Sequence, residues 1–340
     1  MKELTVSIAS YNVENCLKKC LDSLIRCKTI DALDIIIVDD GSTDKTKEIA
    51  SKYAIDYPRS VRLISKKNGG HGSTINTSIQ NCKGKYFKVL DADDWVESDN
   101  LDKLVEYLSN SEVDLILNPY YEVNVSSNEK KKKTVLRNSN LQEIENADFE
   151  LIAKNIVLAM HSFTIKSSII KKMGPIIDEN CFYVDTEYTV FPIPYIMTVS
   201  VFQYPIYDYL LGTSTQSMNM KNMQRRREQH LRVVKRLVVF YETQKNVVSK
   251  GKKALIQGRT VGAINMQYVI YLGIEPNDIK KELVLFDSWL AKESPDLYFD
   301  AIERGKSNSG YIRLIGLMRK VGYKPYVGIV KVLRIFRIIK

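Results

Sequence analysis

Soft metal ligands are scarce in this chain. Three histidines and five cysteines occur in 340 residues, without the paired spacing of a structural zinc site. Cys16, Cys20 and Cys27 recur at helical intervals beside Leu17, Leu21 and Leu24; with Cys82 and Cys181 they read as reduced core thiols, not a disulfide framework. Long apolar runs are missing too. The opening MKELTVSIASYN has one lysine and a short strand-like run, too little for a secretory leader or a membrane span, and implies a cytoplasmic chain. Acids are scarce at one end: Ala301 to Lys340 carries ten Lys and Arg against the single acid Glu303. The formal charge of +10 is therefore mostly a property of the tail. That placement argues against nucleic acid as a partner and for an anionic membrane surface.

What is present is a globular composition, 44% hydrophobic, enough for one large domain or two smaller ones. Aliphatic runs at Leu4 to Ile8, Asp34 to Val38, Val61 to Ile64, Tyr86 to Leu90 and Asp114 to Leu117 predict strands covered on both faces. Helical stripes lie between them, Cys16 to Ile25 and Leu101 to Leu108 being the plainest. Alternation of this kind predicts an α/β fold with a mostly parallel sheet and flanking helices. After Asn118, NVSSNEKKKKTVLRNSN predicts a solvated loop or exposed hairpin, with an anion-binding role for Lys130 to Lys133 as the other reading. A helix is expected near Ala147 to Leu158 and strand-like pieces around Phe182 and Val199 to Tyr204. From about Lys221 the sequence is helical, with QHLRVVKRLVVFYETQ its clearest amphipathic segment. The expected division is 1–218, in halves 1–110 and 111–218, followed by a helical C-terminal domain at 219–340 through which the chain could oligomerise.

In an open α/β sheet, ligands bind outside the carboxyl ends of the strands. Here the strands are followed in turn by ASYN, DDGSTD, KKNGGHGSTIN and DADDW. DDGSTD reads in part as a turn and helix cap through Ser42 to Asp44, which leaves Asp39 and Asp40 unexplained. The glycines of NGGHGS open a helix whose backbone amides could meet a phosphate. In DADDW, residues two apart on a strand point the same way, so Asp91 and Asp93 offer hard oxygen ligands suited to Mn²⁺ or Mg²⁺ on a substrate phosphate.

Taken together, VSIASYN, IIIVDDGSTD, NGGHGSTIN and KVLDADDW resemble the nucleotide-sugar-binding half of family 2 glycosyltransferases with the GT-A fold, over roughly the first 110 residues. Phe182 to Ser217 is similar to the acceptor-side segment of bacterial, non-processive members. The resemblance implies that Ala9, Tyr11 and Asn12 pack on the nucleotide and that Asp39, with Asp40 beside it, meets the base. It also implies that Asn68, Gly70 and Asn76 lie near the diphosphate and ribose, and that Asp91, Ala92 and Asp93 form the Asp-x-Asp motif, with Asp93 the metal ligand and Asp91 on metal or ribose. Where many members have Ala-Arg-Asn, this chain has Thr74-Ile75-Asn76, so the phosphate-facing arginine is missing; Lys66, Lys67 or His71 would compensate.

The family places a carboxylate base after the acceptor loop, and Asp185 in YVDTEY fits, with Glu187 as competitor. His161 is either an acceptor-side group or a structural histidine. QRRR at 224–227 is followed by Glu228 where processive synthases carry Trp, which argues against polysaccharide extrusion. VGIVKVLRIFRIIK sorts into an apolar stripe of Ile329, Val332, Leu333, Phe336 and Ile339 opposite Lys331, Arg334 and Arg337, the pattern of an interfacial helix or of one docked on its own domain. The implied function is inverting, metal-dependent transfer from a nucleotide-diphosphate sugar, a UDP-sugar, to a glycan or lipid-linked acceptor in bacterial surface polysaccharide assembly, at the inner membrane face. The alternatives are a catalytically silent nucleotide-sugar-binding or scaffold protein and, within enzymes, a nucleotidyltransferase.

Overall fold

The computed structural model describes residues 2–137, 144–173, 176–212, 219–303 and 310–335. They fall into two compact units, Met1–Ser214 and Thr215–Lys340.

The first unit opens with β1 (Leu4–Ser10), α1 (Leu17–Ile25), β2 (Leu33–Asp39), α2 (Thr46–Asp56), β3 (Val61–Ser65), α3 (Gly70–Asn81) and β4 (Tyr86–Asp91). There follow β5 (Trp95–Val96), α4 (Ser98–Asn110), β6 (Leu115–Leu117), β7 (Tyr120–Asn124), β8 (Lys130–Lys133), β9 (Ile144–Asp148), α5 (Phe149–Ile152), β10 (Phe163–Lys166), α6 (Ser167–Ile170), α7 (Asp185–Val190), β11 (Thr198–Val201) and β12 (Tyr207–Leu211). Every residue of β2 is buried, as a central strand between helical layers requires. Cys20, Leu21 and Leu24 of α1 and Leu101, Leu104 and Leu108 of α4 pack into the same core as Leu4, Ile8 and Ile37.

Eight strands form one sheet in the order β3-β2-β1-β4-β10-β6-β11-β9. β1 to β4 pair in parallel, as expected from the alternation. The run at 114–117 does not continue that series. β10, from almost fifty residues later, enters antiparallel between β4 and β6 and makes the sheet mixed. The separation is too long-range for periodicity to reveal. A second sheet, β5-β12-β7-β8, carries the KKKK run as the exposed arm of a hairpin with β7. Its lysines meet carboxylates: Lys130 contacts Glu97 and, at 2.8 Å, Asp208, while Lys133 lies 3.2 Å from Glu122.

Two local expectations need correction. The helix near Ala147 to Leu158 shrinks to α5 and a 3-10 turn at Ala153–Asn155, because Ile144–Asp148 is taken up as an edge strand on β11. Phe182 lies in no strand; it belongs to the turn before α7, where Asn180 and Tyr183 adopt positive φ, 53° and 69°.

The second unit is helical: α8 (Met220–Arg225), α9 (Arg227–Gln244), α10 (Lys250–Leu272), α11 (Pro276–Glu293), α12 (Pro295–Glu303), α13 (Gly310–Val321) and α14 (Tyr326–Ile335). The amphipathic α9 buries Val233, Val234, Leu237, Val238 and Tyr241. A polar lock sits in the core, where Arg319 meets Asp287 at 2.8 Å and the Tyr268 hydroxyl at 2.7 Å. In α14, Tyr326 and Val330 are buried, Ile329 is partly buried and Val332 is half exposed; the side chains of Leu333 and Arg334 are not among those described. Phe336, Arg337 and Ile339 lie outside the described residues. Among the described residues no helix is long and apolar enough to cross a membrane.

Candidate active site

Register puts the four strand ends side by side. Ser10 pairs with Asp39, Asp39 with Ser65, and Ala9 with Asp91, so the loops that follow β1 to β4 emerge from one edge.

The loops after β1 and β2 brace each other. Asn12, at a φ of 52°, accepts the Thr43 amide at 2.9 Å on its side-chain oxygen, and its own amide donates to Ser42 Oγ at 3.1 Å. Asp39 is buried and turns the chain by accepting the Ser42 amide at 3.1 Å. Tyr11 stands half exposed above this floor. Asp40, expected beside the base, is only 2% exposed and fully engaged elsewhere. It accepts the amides of Gly69 at 2.9 Å and Gly70 at 2.7 Å and the Lys66 ammonium at 2.8 Å. Asp40 is thus the clamp of the glycine loop. Lys66 is spent on Asp40 and, at 2.8 Å, on Ser73, which removes it from the groups that could replace the missing arginine. Ile75, at the position of that arginine, is core. Asn68 is exposed in the same loop.

α3 carries the glycine loop against the segment that leads to Asp185. Gly70, at a φ of 80°, holds a conformation that strains any side chain, and a Cβ there would sit tightly, 3.2 Å from Asn180 backbone; a Cβ on Gly72 would sit 1.9 Å from the Asp178 carbonyl oxygen. Asn76, expected near ribose, bonds protein backbone: its amide nitrogen donates to the Ile177 carbonyl at 2.8 Å and its oxygen accepts the Ile177 amide at 3.1 Å. Asp185 is the first residue of α7. Glu187, on the same helix, is fully enclosed and accepts the Asp178 amide at 2.8 Å, so this competitor braces the loop.

Asp91, Asp93 and Asp94 bring carboxylate oxygens within 4.8 Å of one another. Asp94 is buried and accepts the Tyr207 hydroxyl at 2.6 Å and the Leu210 amide at 2.7 Å. That leaves Asp91 and Asp93 as the pair with oxygens to spare, a donor set that suits a hard divalent cation. Asp93 is exposed at its surface yet largely surrounded by protein; lost hydration first, and then the charge of Asp91, push its carboxyl up to about 6. Such crowding is what a bound cation relieves. His71 Nε2 lies 3.3 Å from Asp91 Oδ1, close enough for an ion pair but not aligned as a hydrogen bond. Burial opposes protonation of His71, but the carboxylates of Asp91, Asp185 and Asp93 outweigh it and raise its pKa. Burial first, and then the charges of Asp94, Asp91, Asp93 and Asp185, raise the pKa of the Tyr209 hydroxyl, so Asp185 lies near the Asp-x-Asp acids.

His161 lies in an aromatic stack. Its ring centroid is 4.2 Å from that of Tyr209 and 4.9 Å from that of Tyr120, both tilted by about a third of a right angle, and it meets Tyr207 edge-on at 4.8 Å. Burial drives its pKa down to about 4, so the imidazole is neutral. Beneath it Lys88, 1% exposed, donates to the His161 carbonyl at 2.8 Å and to Asn118 Oδ1 at 3.4 Å. Burial holds this lysine down to about 7. Sequence reasoning passed over Lys88 and the tyrosines. Tyr207 and Tyr209 do carry a signal, the two-residue spacing that puts them on one face of a strand.

Residues 5–173 match the family described as glycosyl transferase family 2. The glycosyltransferase GlyA of Streptococcus pneumoniae is 36% identical over 124 residues, 36% of this chain and 18% of that protein. The uncharacterized glycosyltransferase EpsJ of Bacillus subtilis is 36% identical over 113 residues, 33% of this chain and 32% of that one. The alignments thus span a third or less of these relatives' lengths. Among solved structures, S. aureus TarS 1–349 in complex with UDP-GlcNAc superposes with a TM-score of 0.55 at 16% identity, covering 91% of this chain and 93% of that one. A mannosyltransferase from Pyrobaculum calidifontis, in complex with GDP-Man and Mn²⁺, gives 0.50 at 14%, covering 97% and 83%. At such identities the likeness is one of fold, a GT-A-type mixed α/β sheet with a helical region after it.

Proposed function

On the premise that residues 5–173 belong to glycosyl transferase family 2, we propose that the chain is an inverting, metal-dependent glycosyltransferase. It moves a sugar from a nucleoside diphosphate donor, a UDP-sugar, to a glycan or lipid-linked acceptor in bacterial surface polysaccharide assembly. The observation that carries this reading is the cluster of Asp91, Asp93 and Asp94, with carboxylate oxygens within 4.8 Å of one another and His71 3.3 Å from Asp91, at the edge where β1, β2 and β4 end in register. TarS, with UDP-GlcNAc, supports the choice of donor, and the Mn²⁺ complex of the mannosyltransferase supports the cation.

Tyr11 and the loops held by Asn12 cover the nucleotide, and Asp39 presents a carboxylate toward the base. Asp91 and Asp93 would hold Mn²⁺ or Mg²⁺, which would supply Lewis-acid stabilisation of the diphosphate leaving group. His71, at the start of α3 with its pKa raised by the neighbouring acids, faces the phosphates in place of the missing arginine. Asp185 accepts the proton of the attacking acceptor hydroxyl as the glycosidic bond to the diphosphate breaks and the new one forms on the opposite face of the sugar. Asp185→Asn is expected to lower kcat by at least about a hundredfold while UDP-sugar binding persists. Absence of Mn²⁺-dependent turnover of every UDP-sugar, in wild type and variant alike, would favour the binding-protein alternative.

A further inference from the structure

Tyr207 and Tyr209 project from the same face of β12 but are used differently. Tyr207 is fully buried and its hydroxyl is taken by Asp94 and the Asp91 amide. Tyr209 is only partly buried. Among the described residues its hydroxyl bonds no protein group, and its one aromatic neighbour is His161, 4.2 Å away and tilted by 30°. The ring thus packs on the His161 imidazole, which also meets Tyr120 at 4.9 Å. Burial raises the pKa of its hydroxyl, and the charges of Asp94, Asp91, Asp93 and Asp185 add to that rise, so the ring lies near these acids. It reaches them from the second sheet, whereas the loops assigned to the nucleotide follow β1, β2 and β3 of the first. A core tyrosine would finish its hydroxyl on the protein, as Tyr207 does. A flat, backed, partly exposed aromatic with a polar rim suits the C–H face of a pyranose ring, which an open-chain polyol phosphate does not offer.

We propose that Tyr209, backed by His161 and Tyr120, is the stacking platform for the acceptor's terminal pyranose, so that the acceptor is a carbohydrate ring and not a polyol phosphate. The inference rests on the reading of Asp185 as base. The stack holds the ring against the face on which Asp185 removes the hydroxyl proton, and Lys88 fixes the stack from below through the His161 carbonyl. His161 acts as a positioning residue.

The test uses the full chain with Mn²⁺ and UDP-GlcNAc, UDP-glucose or UDP-galactose as donor. Methyl β-glucoside, methyl β-galactoside and the methyl glycoside of N-acetylglucosamine are acceptors, against glycerol 3-phosphate and ribitol 5-phosphate. Transfer to a methyl pyranoside is expected and transfer to the open-chain phosphates is not. Tyr209→Ala should raise the KM for the pyranoside about tenfold while donor KM moves less than twofold; Tyr209→Leu, which keeps bulk but no ring, should do the same, and Tyr209→Phe should retain the wild-type acceptor KM. An unmoved acceptor KM, a rise in donor KM instead, or preferred transfer to the polyol phosphates would overturn the proposal. Saturation-transfer NMR of methyl pyranosides on the UDP- and Mn²⁺-loaded chain tests the platform without turnover. Ring C–H signals lost in Tyr209→Ala support it and unchanged signals refute it. Binding intact without transfer in the wild type sinks the transferase reading alone.

Discussion

Lys88 offers the sharpest test of how this site is held together. Burial takes its amine from an ordinary 10.5 to about 7, and at about 1.4 kcal/mol per tenfold change in protonation, deprotonating or desolvating it costs about 4 kcal/mol at neutral pH. The Lys88→Met variant removes that cost at nearly constant volume. It also strips the donor from the His161 carbonyl and Asn118, a loss of about 1–3 kcal/mol. The net expectation is a first unit stabilised by about 2 kcal/mol at pH 7. The folded pKa lies below the unfolded one, so the native state binds fewer protons between about 7 and 10.5, and wild-type stability rises with pH across that window. From pH 7 to 8.5 the wild type should gain about 2 kcal/mol more than the variant. The two tryptophans, Trp95 and Trp289, fall one in each unit, so urea unfolding read by Trp95 fluorescence in a Trp289→Phe background isolates the first. The same substitution should impair transfer by loosening the His161 carbonyl. A variant less stable than wild type at pH 7, or equal pH slopes, would refute the reasoning.

Other outcomes follow from the same geometry. Asp40→Ala strands two amides and an ammonium and should cost the first unit about 3 kcal/mol, seen as a lowered urea midpoint; a loss under about 1 kcal/mol would mean the glycine loop is held otherwise. Gly72→Ala drives a methyl into the Asp178 carbonyl and should cost about 2–3 kcal/mol and lower kcat by displacing the loop that carries Asp185. Mn²⁺ with UDP should raise the melting temperature of the wild type, since a ligand of the native state stabilises it, and Asp93→Ala should abolish that rise. In the second unit, burial holds His230 below its ordinary 6.5, against the opposing bond to Gln267. Its contribution is therefore complete above about 6.5 and lost as pH falls below it, so the helical unit should melt lower at pH 5.5 than at 7.5, and His230→Gln should flatten that dependence.

Much of the donor side could be read from the chain because its information is local. A run such as IIIVDD states in six residues both that a strand is buried and where it stops, and four such stops in α/β alternation share an edge. The acceptor side was less legible. Only resemblance points to Asp185, and nothing local shows that Asp40 and Asn76 bond Gly69, Gly70 and the Ile177 backbone. Nothing near Asn76 in sequence foretells a bond across a hundred residues.

The sequence alone thus determined the parallel β1 to β4 framework, the acids at its edge and the helical second unit, since periodicity and strand-end chemistry act over a few residues. Only the tertiary structure decided that β10 splits the sheet, that Asp40 is a clamp, that Lys88 lies buried against the His161 carbonyl and that the partly buried Tyr209 packs on the His161 ring. Those outcomes depend on which distant segments pack together, and packing, through lost hydration and shared hydrogen bonds, determines whether a polar side chain is spent on the fold or left for a ligand.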